Sequence, residues 1–214
     1  MNITFMAPPA AGKGVQSNLV SRNYGLPHIS TGDLLRNVDD PDIQKQLSLG
    51  KFVDNDLVAK LLKDRIMKDD CKNGYVLDGF PRNMTQVAIY ENLCKLNNGK
   101  HIIIVLDISK EIGEKRIVGR LTCPSCGAVF NELFEDTMPK VQGVCDFCGS
   151  ELFKRADDTA STYENRYNLY LEATEPLIDY YEKKGIVYHV SASSSEEETY
   201  KQIEKIIGGF YDKH

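Results

Sequence analysis

Four of the six cysteines form two Cys-x-x-Cys pairs, Cys123 with Cys126 and Cys145 with Cys148. Two such turns can present four thiolates to Zn²⁺ tetrahedrally, and a site filled by four sulfur ligands leaves no position for a reactive water. The surrounding segment, residues 121–155, has little core of its own, so a bound metal would contribute folding free energy. The spacing therefore predicts a structural zinc site.

Residues 7–15 read APPAAGKGV and have features of a phosphate-binding loop. Backbone N–H groups at a helix N-terminus can converge on an anion, and a lysine adds a mobile positive charge. Gly12, Lys13 and Gly14 can supply both. The strict pattern G-x-x-x-x-G-K-[ST] is nonetheless broken at Ala7 and Gly14, so the loop alone leaves a plain strand-to-helix turn as the alternative.

The stretch LDGFPR, residues 77–82, places Asp78 at the carboxyl end of a hydrophobic run. In α/β proteins ligands bind at that end of the strands, where an aspartate can hold Mg²⁺ directly or through water. Alone, Asp78 would more often be a helix cap. Its occurrence together with the AAGKG loop and with STGDLLR at residues 30–36 favours a phosphate-binding site.

The elements that must position these groups have the hydrophobic pattern of a parallel sheet. Near-continuous apolar runs occupy residues 2–6, 74–80, 101–107 and 185–190, and residues 13–22 have apolar positions at helical spacing. Strands that are apolar on both faces belong to parallel sheets covered by helices on both sides. The sequence therefore predicts an α/β core.

Two segments interrupt this alternation and are interpreted as insertions. Residues 30–59 have the pattern of short helices, with capping signals at Ser30 to Asp33 and at Asp54 to Asp56. Residues 121–154 carry the paired cysteines and short β-prone pieces. SASSSEEE, residues 191–198, predicts a loop leading into a final helix, whose N-terminus the acidic residues would stabilise.

The composition limits the classes of partner. The chain of 214 residues has a formal net charge of -5, which argues against broad binding to nucleic acid. Its apolar stretches fall short of the roughly 18 residues needed to cross a bilayer, and its N-terminus lacks a secretory pattern. We therefore expect a cytoplasmic protein with no membrane or nucleic-acid partner. Cys71 and Cys94 are interpreted as ordinary thiols.

Taken together, the motifs resemble those of the adenylate kinases, of the long-lid bacterial type with a metal-binding lid. The motifs that carry the resemblance run through the whole chain in the family's order: AAGKG.Q, HISTGDLLR, LGKFV, LDGFPR...Q, RIVGRLTCPSCG, CDFCGSELFKRADD and ENRYNLY. The resemblance implies a P-loop nucleoside monophosphate kinase fold, with a central parallel sheet flanked by helices. It also implies reversible, Mg²⁺-dependent transfer of a phosphoryl group from ATP to AMP, giving two ADP, by a monomer.

The resemblance further implies three domains. Residues 1–29, 60–120 and 156–214 would form the core domain, residues 30–59 a helical AMP-binding insertion, and residues 121–155 a small β zinc-ribbon lid. Such a lid would close over ATP and exclude water.

The resemblance assigns site residues to three overlapping groups. Those expected around ATP are Ala10, Ala11, Gly12, Lys13, Gly14, Val15, Arg116, Arg120 and Phe130. Those expected around AMP are Thr31, Arg36, Lys51, Phe52, Val53, Gly79, Arg82, Gln86, Arg155 and Arg166. Those expected at the transferred phosphoryl group are Lys13, Asp78, Arg82, Arg120, Arg155 and Arg166, with Asp78 near Mg²⁺ and with Asp157 and Asp158 as an acidic pair at the lid hinge.

The chain departs from the family mainly in the loop, which usually reads GAPGAGKGTQ. Ala7 and Ala10 replace glycines, Pro8 replaces alanine and Val15 replaces threonine. An alanine forced into a left-handed conformation would cost about 1 to 2 kcal/mol, and loss of the threonine hydroxyl about 0.5 to 1.5 kcal/mol. These costs predict weakened ATP binding or slower turnover. Tyr163, where small or charged residues are common, receives no role from the sequence.

Two alternatives remain open at this stage. One is a kinase for another nucleoside monophosphate, although Thr31, Val53 and Gln86 favour adenine. The other is a non-catalytic nucleotide-binding or zinc-ribbon protein with a degenerate phosphate loop. The presence of all the phosphate-facing arginines argues against the second alternative.

Overall fold

The computed structural model describes residues 1–49, 51–96 and 99–211. Gly50 of the LGKFV motif and residues 212–214 of the expected core domain lie outside the described residues. No helix in the described part of the chain is both long and apolar enough to cross a membrane.

The main sheet has five parallel strands in the order β2-β3-β1-β4-β7. Its strands are β1 (Asn2–Met6), β2 (His28–Ser30), β3 (Tyr75–Asp78), β4 (His101–Asp107) and β7 (Val187–Ser191). The four predicted runs all form strands, and the expected α/β fold with a parallel sheet is confirmed. The sequence did not reveal β2, because three residues are too few to show a hydrophobic pattern.

The strands are apolar along their whole length because the sheet is buried on both faces. In β4, Ile103 and Val105 belong to one core cluster, whereas Ile102, Ile104 and Leu106 belong to the cluster on the other side. Successive side chains of a strand point to opposite faces, so both sets must be hydrophobic.

Helices cover both faces of the sheet and build the first insertion. Their bounds are α1 (Lys13–Tyr24), α2 (Thr31–Arg36), α3 (Pro41–Ser48), α4 (Asn55–Ile66), α5 (Val87–Cys94), α6 (Lys110–Val118), α7 (Ala160–Leu169), α8 (Glu175–Glu182) and α9 (Glu196–Tyr211). The predicted capping signals are confirmed: the Ser30 side chain accepts a hydrogen bond from the Asp33 amide, and Asp54 accepts from the amides of Asp56 and Leu57. The final helix begins with three glutamates, as expected.

The second insertion contains a small antiparallel sheet of β5 (Arg120–Thr122) and β6 (Val129–Asn131). Phe153 pairs with Thr122 and brings the end of the segment back to its start. Its buried hydrophobic cluster consists of Cys123, Phe130, Cys145 and Leu152. The core of this segment is therefore small and includes two of the predicted metal ligands.

Candidate functional site

The sheet places the phosphate-binding loop beside Asp78. The loop leaves the carboxyl end of β1, Asp78 ends the neighbouring β3, and Phe5 is the register partner of Asp78. The Lys13 ammonium nitrogen consequently lies 3.4 Å from Oδ1 of Asp78. A Cβ added to Gly14 would lie 3.8 Å from Oδ2 of the same carboxylate, so the loop passes close to this acid.

Asp78 is held in its ionised form by its neighbours. Burial by itself would raise the pKa of this carboxyl group, but Lys13, His28 and Arg82 together bring the pKa well below its usual range. Nε2 of His28 lies 3.9 Å from Oδ2 of Asp78, and its Nδ1 contacts the side chain of Asn18. A permanent negative charge therefore stands at the carboxyl end of β3.

The loop has two left-handed residues just before the start of α1. Ala10 and Gly12 both have left-handed conformations, with φ values of 62° and 86°. Gly12 provides no side-chain cap to α1, and the first turn of this helix contains no acidic residue. The first amides of α1 thus have no capping side chain among the described residues, as expected of an anion site at a helix N-terminus.

Arg82 lies among other cations. Its side chain remains accessible to water, yet enough protein surrounds it that desolvation lowers its pKa. Asp78 opposes this shift, whereas the positive charges of Arg166 and Arg36 lower the pKa further. The guanidinium groups of Arg166 and Arg36, from separate segments, therefore each repel that of Arg82, and an anion beside Arg82 would relieve this repulsion.

Arg155 is a further arginine with other positively charged side chains around it. Desolvation lowers its pKa, Arg120 and Arg36 lower it further, and Asp158 partly compensates. Arg36 interacts electrostatically with both Arg82 and Arg155, and its own guanidinium group donates to Asp33. The predicted phosphate-facing arginines thus converge in space although they are distant in the sequence.

Two of these arginines are paired with the expected acidic pair. Arg120 donates from Nε and from its terminal nitrogen to Asp158, a carboxylate that is fully buried at the side-chain level. Arg166 donates to Asp157. Burial alone would raise the pKa of Asp157, but the hydrogen bond from Arg166 lowers it. In this conformation the acids hold two guanidinium groups in place.

The residues expected at AMP form a connected group around Gly79. Thr31 donates to the carbonyl of Gly79 at 2.9 Å, and Nε of Arg82 donates to the same carbonyl at 2.7 Å. A Cβ on Gly79 would lie 2.6 Å from the Thr31 hydroxyl, so this position requires glycine. The side chain of Gln86 accepts from the amide of Arg82 and donates to Asn55, which joins β3 to the first insertion.

Other expected residues are not brought to this group. Phe130 is 6% exposed and packs in the core of the second insertion, with its ring centroid 5.9 Å from that of Phe147. The expected contact of Phe130 with ATP stays a prediction. Val53 is buried in the main core, so its backbone alone remains for a ligand, while Phe52 is half-buried and Lys51 is exposed.

Arg116 lies apart from the other arginines, near the start of α9. Its terminal nitrogen donates to the carbonyl of Ser194 at 3.3 Å. Desolvation lowers its pKa, against the attraction of Glu196 and Asp136. This position borders the loop, since Gln16 in α1 donates to the carbonyl of Glu196.

The four paired cysteines meet in one place. The sulfur atoms of Cys123, Cys126, Cys145 and Cys148 all lie within 4.8 Å of one another. Ligands about 2.3 Å from a tetrahedral Zn²⁺ would be separated by similar distances. Each pair is formed by a tight turn, in which the amide of Gly127 donates to the carbonyl of Cys123 and that of Gly149 to Cys145. The donor set and its geometry fit zinc.

Sequence reasoning missed two supporting residues. Asn55, the first residue of α4, orients Gln86 from a distance of 31 positions along the chain. Thr174 lies in a π-helical turn, Tyr170–Thr174, and donates to the carbonyl of Arg82 at 2.9 Å. Neither residue belongs to a quoted motif, and only the capping pattern at Asp54 hinted that Asn55 would start a helix.

Comparison with known proteins gives a consistent result. A family model described as adenylate kinase matches residues 5–186. A protein of Archaeoglobus fulgidus named adenylate kinase is 42% identical over 218 residues, covering 97% of this chain and 98% of that protein. Proteins of the same name from Geobacillus sp. (strain WCH70) and Clostridium kluyveri are 37% and 35% identical over at least 97% of this chain.

Proposed function

The chain belongs to the adenylate kinase family and transfers a phosphoryl group reversibly between ATP and AMP, giving two ADP, and from this premise we propose which of its residues carry out the transfer. The sequence left two alternatives, a kinase for another nucleoside monophosphate and a non-catalytic protein with a degenerate phosphate loop. The family and its relatives favour neither of them. The roles of single residues, the domain limits, the metals, the monomeric state and the cytoplasmic location belong to the proposal.

The convergence of Arg36, Arg82, Arg155 and Arg166 is the observation that carries the proposal. Besides desolvation, the charges of Arg166 and Arg36 lower the pKa of Arg82, and the charge of Arg36 lowers that of Arg155, so this grouping is unfavourable for the empty protein. Transfer between ATP and AMP brings two highly anionic groups together through a loose transition state, so the protein has to align them and compensate their charge. Guanidinium groups bind phosphate oxygens in a bidentate manner and suit this task.

ATP would bind at the loop. Residues 10–15 would surround its outer phosphates with amide groups of the loop and the first turn of α1, and Lys13 would follow the transferred group with its mobile charge. Arg116 would lie against the base, beside the start of α9, and Arg120 near the phosphates. Phe130, which is 6% exposed, would border ATP from the proposed lid.

AMP would bind between β3 and the first insertion. Thr31, Gly79 and Gln86 would line the pocket for adenine, while Arg36 and Arg82 bind the phosphate. The backbone of residues 51–53 would close this pocket. The hydrogen bonds that join Thr31 and Arg82 to the Gly79 carbonyl support the grouping, because they fix both side chains to the same turn.

Asp78 fits the role of the acid that holds Mg²⁺, directly or through water. It is ionised and lies next to Lys13 at the loop. When bound, the metal ion would neutralise charge on the phosphate oxygens. No general base is required for the reaction, and His28, which contacts Asp78 from the side, is proposed only to support that carboxylate.

Residues 121–155 would form the zinc-stabilised lid, residues 30–59 the AMP-binding domain, and the remainder the core. A lid that closes over ATP excludes water and so favours transfer to AMP over hydrolysis. The pairing of Arg120 with Asp158 and of Arg166 with Asp157 supports a hinge at this place, because both acids lie between the lid and α7.

A coupled assay of ADP formation with Lys13→Ala and Arg82→Ala tests the assigned roles. We expect each variant to lose about 100-fold or more in kcat, because each removes a cation that compensates charge in the transition state. Lys72→Ala is the matched control, since Lys72 is exposed and paired only with Asp69 at the surface. Turnover by Lys13→Ala equal to that of the control would refute the proposal.

The same assay with a panel of nucleoside monophosphates tests the acceptor. We expect AMP to be preferred, because Gln86 is oriented by two hydrogen bonds to meet the edge of a base. Equal rates with pyrimidine monophosphates would contradict the proposed role of Thr31 and Gln86 without affecting the roles of the arginines.

A further inference from the structure

Helices α6 and α7 contact each other through a glycine and a buried tyrosine. A Cβ placed on Gly113 of α6 would lie 2.1 Å from the hydroxyl oxygen and 2.9 Å from Cζ of Tyr163 in α7. Tyr163 is 0% exposed. The ring therefore fills the space that any larger residue at position 113 would need, and the two positions fit only as a pair.

The Tyr163 side chain makes this contact by packing and not by hydrogen bonding. The hydroxyl is buried and has no hydrogen-bond partner among the described residues. The ring continues into a row of aromatic contacts along the helix, with centroid distances of 5.8 Å to Tyr167 and 6.2 Å from Tyr167 to Tyr170. Lys110 of α6 also lies over Tyr167, 5.5 Å from its centroid. Packing thus fixes α7 against α6.

The two helices carry arginines on which the reaction depends. Arg116 is in α6 and Arg120 follows its end, whereas Arg166 lies one turn after Tyr163 in α7. The ion pair of Arg120, two residues after α6, with Asp158, two residues before α7, joins the adjacent ends of the two helices. A shift between α6 and α7 would therefore displace the guanidinium groups relative to each other.

We propose that Gly113 and Tyr163 form a positioning pair, which sets the distance between α6 and α7 and thereby aligns Arg116 and Arg120 with Arg166. This inference rests on the proposed roles of these arginines in the transfer. It assigns a role to Tyr163, which none of the family motifs explains. Misplacement of reacting groups by about 1 Å can reduce a rate about 100-fold, so a contact remote from the phosphates can affect kcat.

The test compares Tyr163→Ala and Tyr163→Phe with Tyr181→Ala as a matched control. Tyr181 is also a buried tyrosine, 1% exposed and with an unpartnered hydroxyl among the described residues, but it packs against Tyr90. Thermal unfolding, kcat and the KM of each nucleotide are measured at a temperature at which all variants are folded.

We expect both alanine variants to unfold at lower temperature, but only Tyr163→Ala to lose about 10- to 100-fold in kcat. The KM for AMP should stay within about twofold, because the proposed adenine pocket and the arginines Arg36 and Arg82 lie outside α6 and α7. Tyr163→Phe should keep the wild-type kcat, since the ring is retained. Equal kcat in Tyr163→Ala and Tyr181→Ala would overturn the inference.

Gly113→Ala tests the same contact if Tyr163→Ala does not fold. Its added methyl group should displace the ring and lower kcat, and the double variant Gly113→Ala with Tyr163→Ala should be no slower than Tyr163→Ala alone. Additive losses would overturn the pairing. Arg166→Ala separates this outcome from a failure of the proposed function. If Arg166→Ala keeps full activity, the proposed roles of the arginines are wrong. If Arg166→Ala is inactive while Tyr163→Ala keeps the wild-type kcat, only the positioning pair is refuted.

Discussion

Ala10 occupies a backbone conformation that glycine adopts more easily. Among the described residues, Ala10 is the only non-glycine residue with a positive φ, which is 62°. The left-handed region costs an alanine about 1 to 2 kcal/mol. We expect Ala10→Gly to raise the free energy of unfolding by about 0.5 to 1 kcal/mol, because part of the gain is lost to the greater freedom of glycine in the unfolded chain. Urea unfolding measures this difference.

Ala7→Gly is the matched control in the same loop. Ala7 has no positive φ, so a glycine there gains nothing in the folded state and should destabilise the protein by about 0.4 to 1 kcal/mol. The two Ala→Gly substitutions should therefore change the free energy of unfolding in opposite directions. A loss of stability in both variants would show that Ala10 is not strained.

The sequence predicted the kind of cost in this loop but not its place. Comparison with the family pattern identified both Ala7 and Ala10 as replacements of glycine. An alanine in the sequence does not indicate whether its backbone is left-handed, so the pattern could not tell which of the two is strained. The backbone distinguishes them, since only Ala10 is left-handed. Likewise, the position of His28 beside Asp78 follows from the pairing of β2 with β3, which a three-residue strand does not reveal in the sequence.

The ionisation of Asp78 leads to a prediction about pH. Burial raises its pKa, and Lys13 is the strongest of the charges that bring it below the ordinary value of about 3.9. A lowered carboxyl pKa contributes stability that is complete above the unfolded pKa and is lost as the pH falls through the folded pKa. In Lys13→Ala the carboxyl group should therefore titrate at higher pH than in the wild type.

Carbon NMR of the Asp78 carboxyl group, together with unfolding as a function of pH, measures this effect. We expect the acid loss of stability that Asp78 contributes to be smaller in Lys13→Ala and to end at higher pH, because its folded pKa then lies closer to the unfolded value. The control is Lys72→Ala, which removes an exposed lysine that contacts Asp69 and should leave Asp78 unchanged. Identical titration of Asp78 in both variants would mean that Lys13 does not stabilise the carboxylate.

At the scale of elements, the parts that could be predicted are those set by local pattern. The run at residues 101–107 became β4 with the same limits, because burial on both faces demands apolar residues throughout. Ser30 and Asp54 act as caps, because their hydrogen bonds reach only two or three residues along the chain. The partners of Arg120 and Arg166 depend instead on contacts between segments, and only the family resemblance pointed to the acids.

The cap of α4 should affect the KM for AMP but not the KM for ATP. Asp54 accepts hydrogen bonds from the amides of Asp56 and Leu57, both at 3.0 Å, and Asn55 next to it holds Gln86. We expect Asp54→Ala to lower the free energy of unfolding by about 1 kcal/mol and to raise the KM for AMP but not for ATP. Asp54→Asn keeps a capping oxygen and should behave as the wild type in both measurements. An equal rise in both KM values would contradict this division of the site.

For the whole molecule, the proposed division into a large core and a small lid would make stability depend on the proposed metal. The main sheet is buried between two extensive clusters, whereas the lid cluster has Cys123, Phe130, Cys145 and Leu152 as its buried members. Two of these four are proposed sulfur ligands, so without a metal this segment would have little apolar area to hold it together. The lid should therefore be the first part to lose its structure when zinc is removed.

We expect the purified protein to contain about one zinc ion per chain, and chelation to lower Tm by about 5 to 10 °C, as a loss of a few kcal/mol would do in a chain of this size. Activity at low temperature should fall less, because the phosphate-facing arginines lie outside the metal site, and added zinc should restore Tm. Cys126→Ser should reproduce the effect, whereas Cys94→Ser, outside the cluster, should keep the metal. Mass spectrometry for metal content and thermal unfolding measure both quantities. An unchanged Tm after complete removal of the metal would contradict a structural role for the four cysteines, since the lid would then be stable through its own packing.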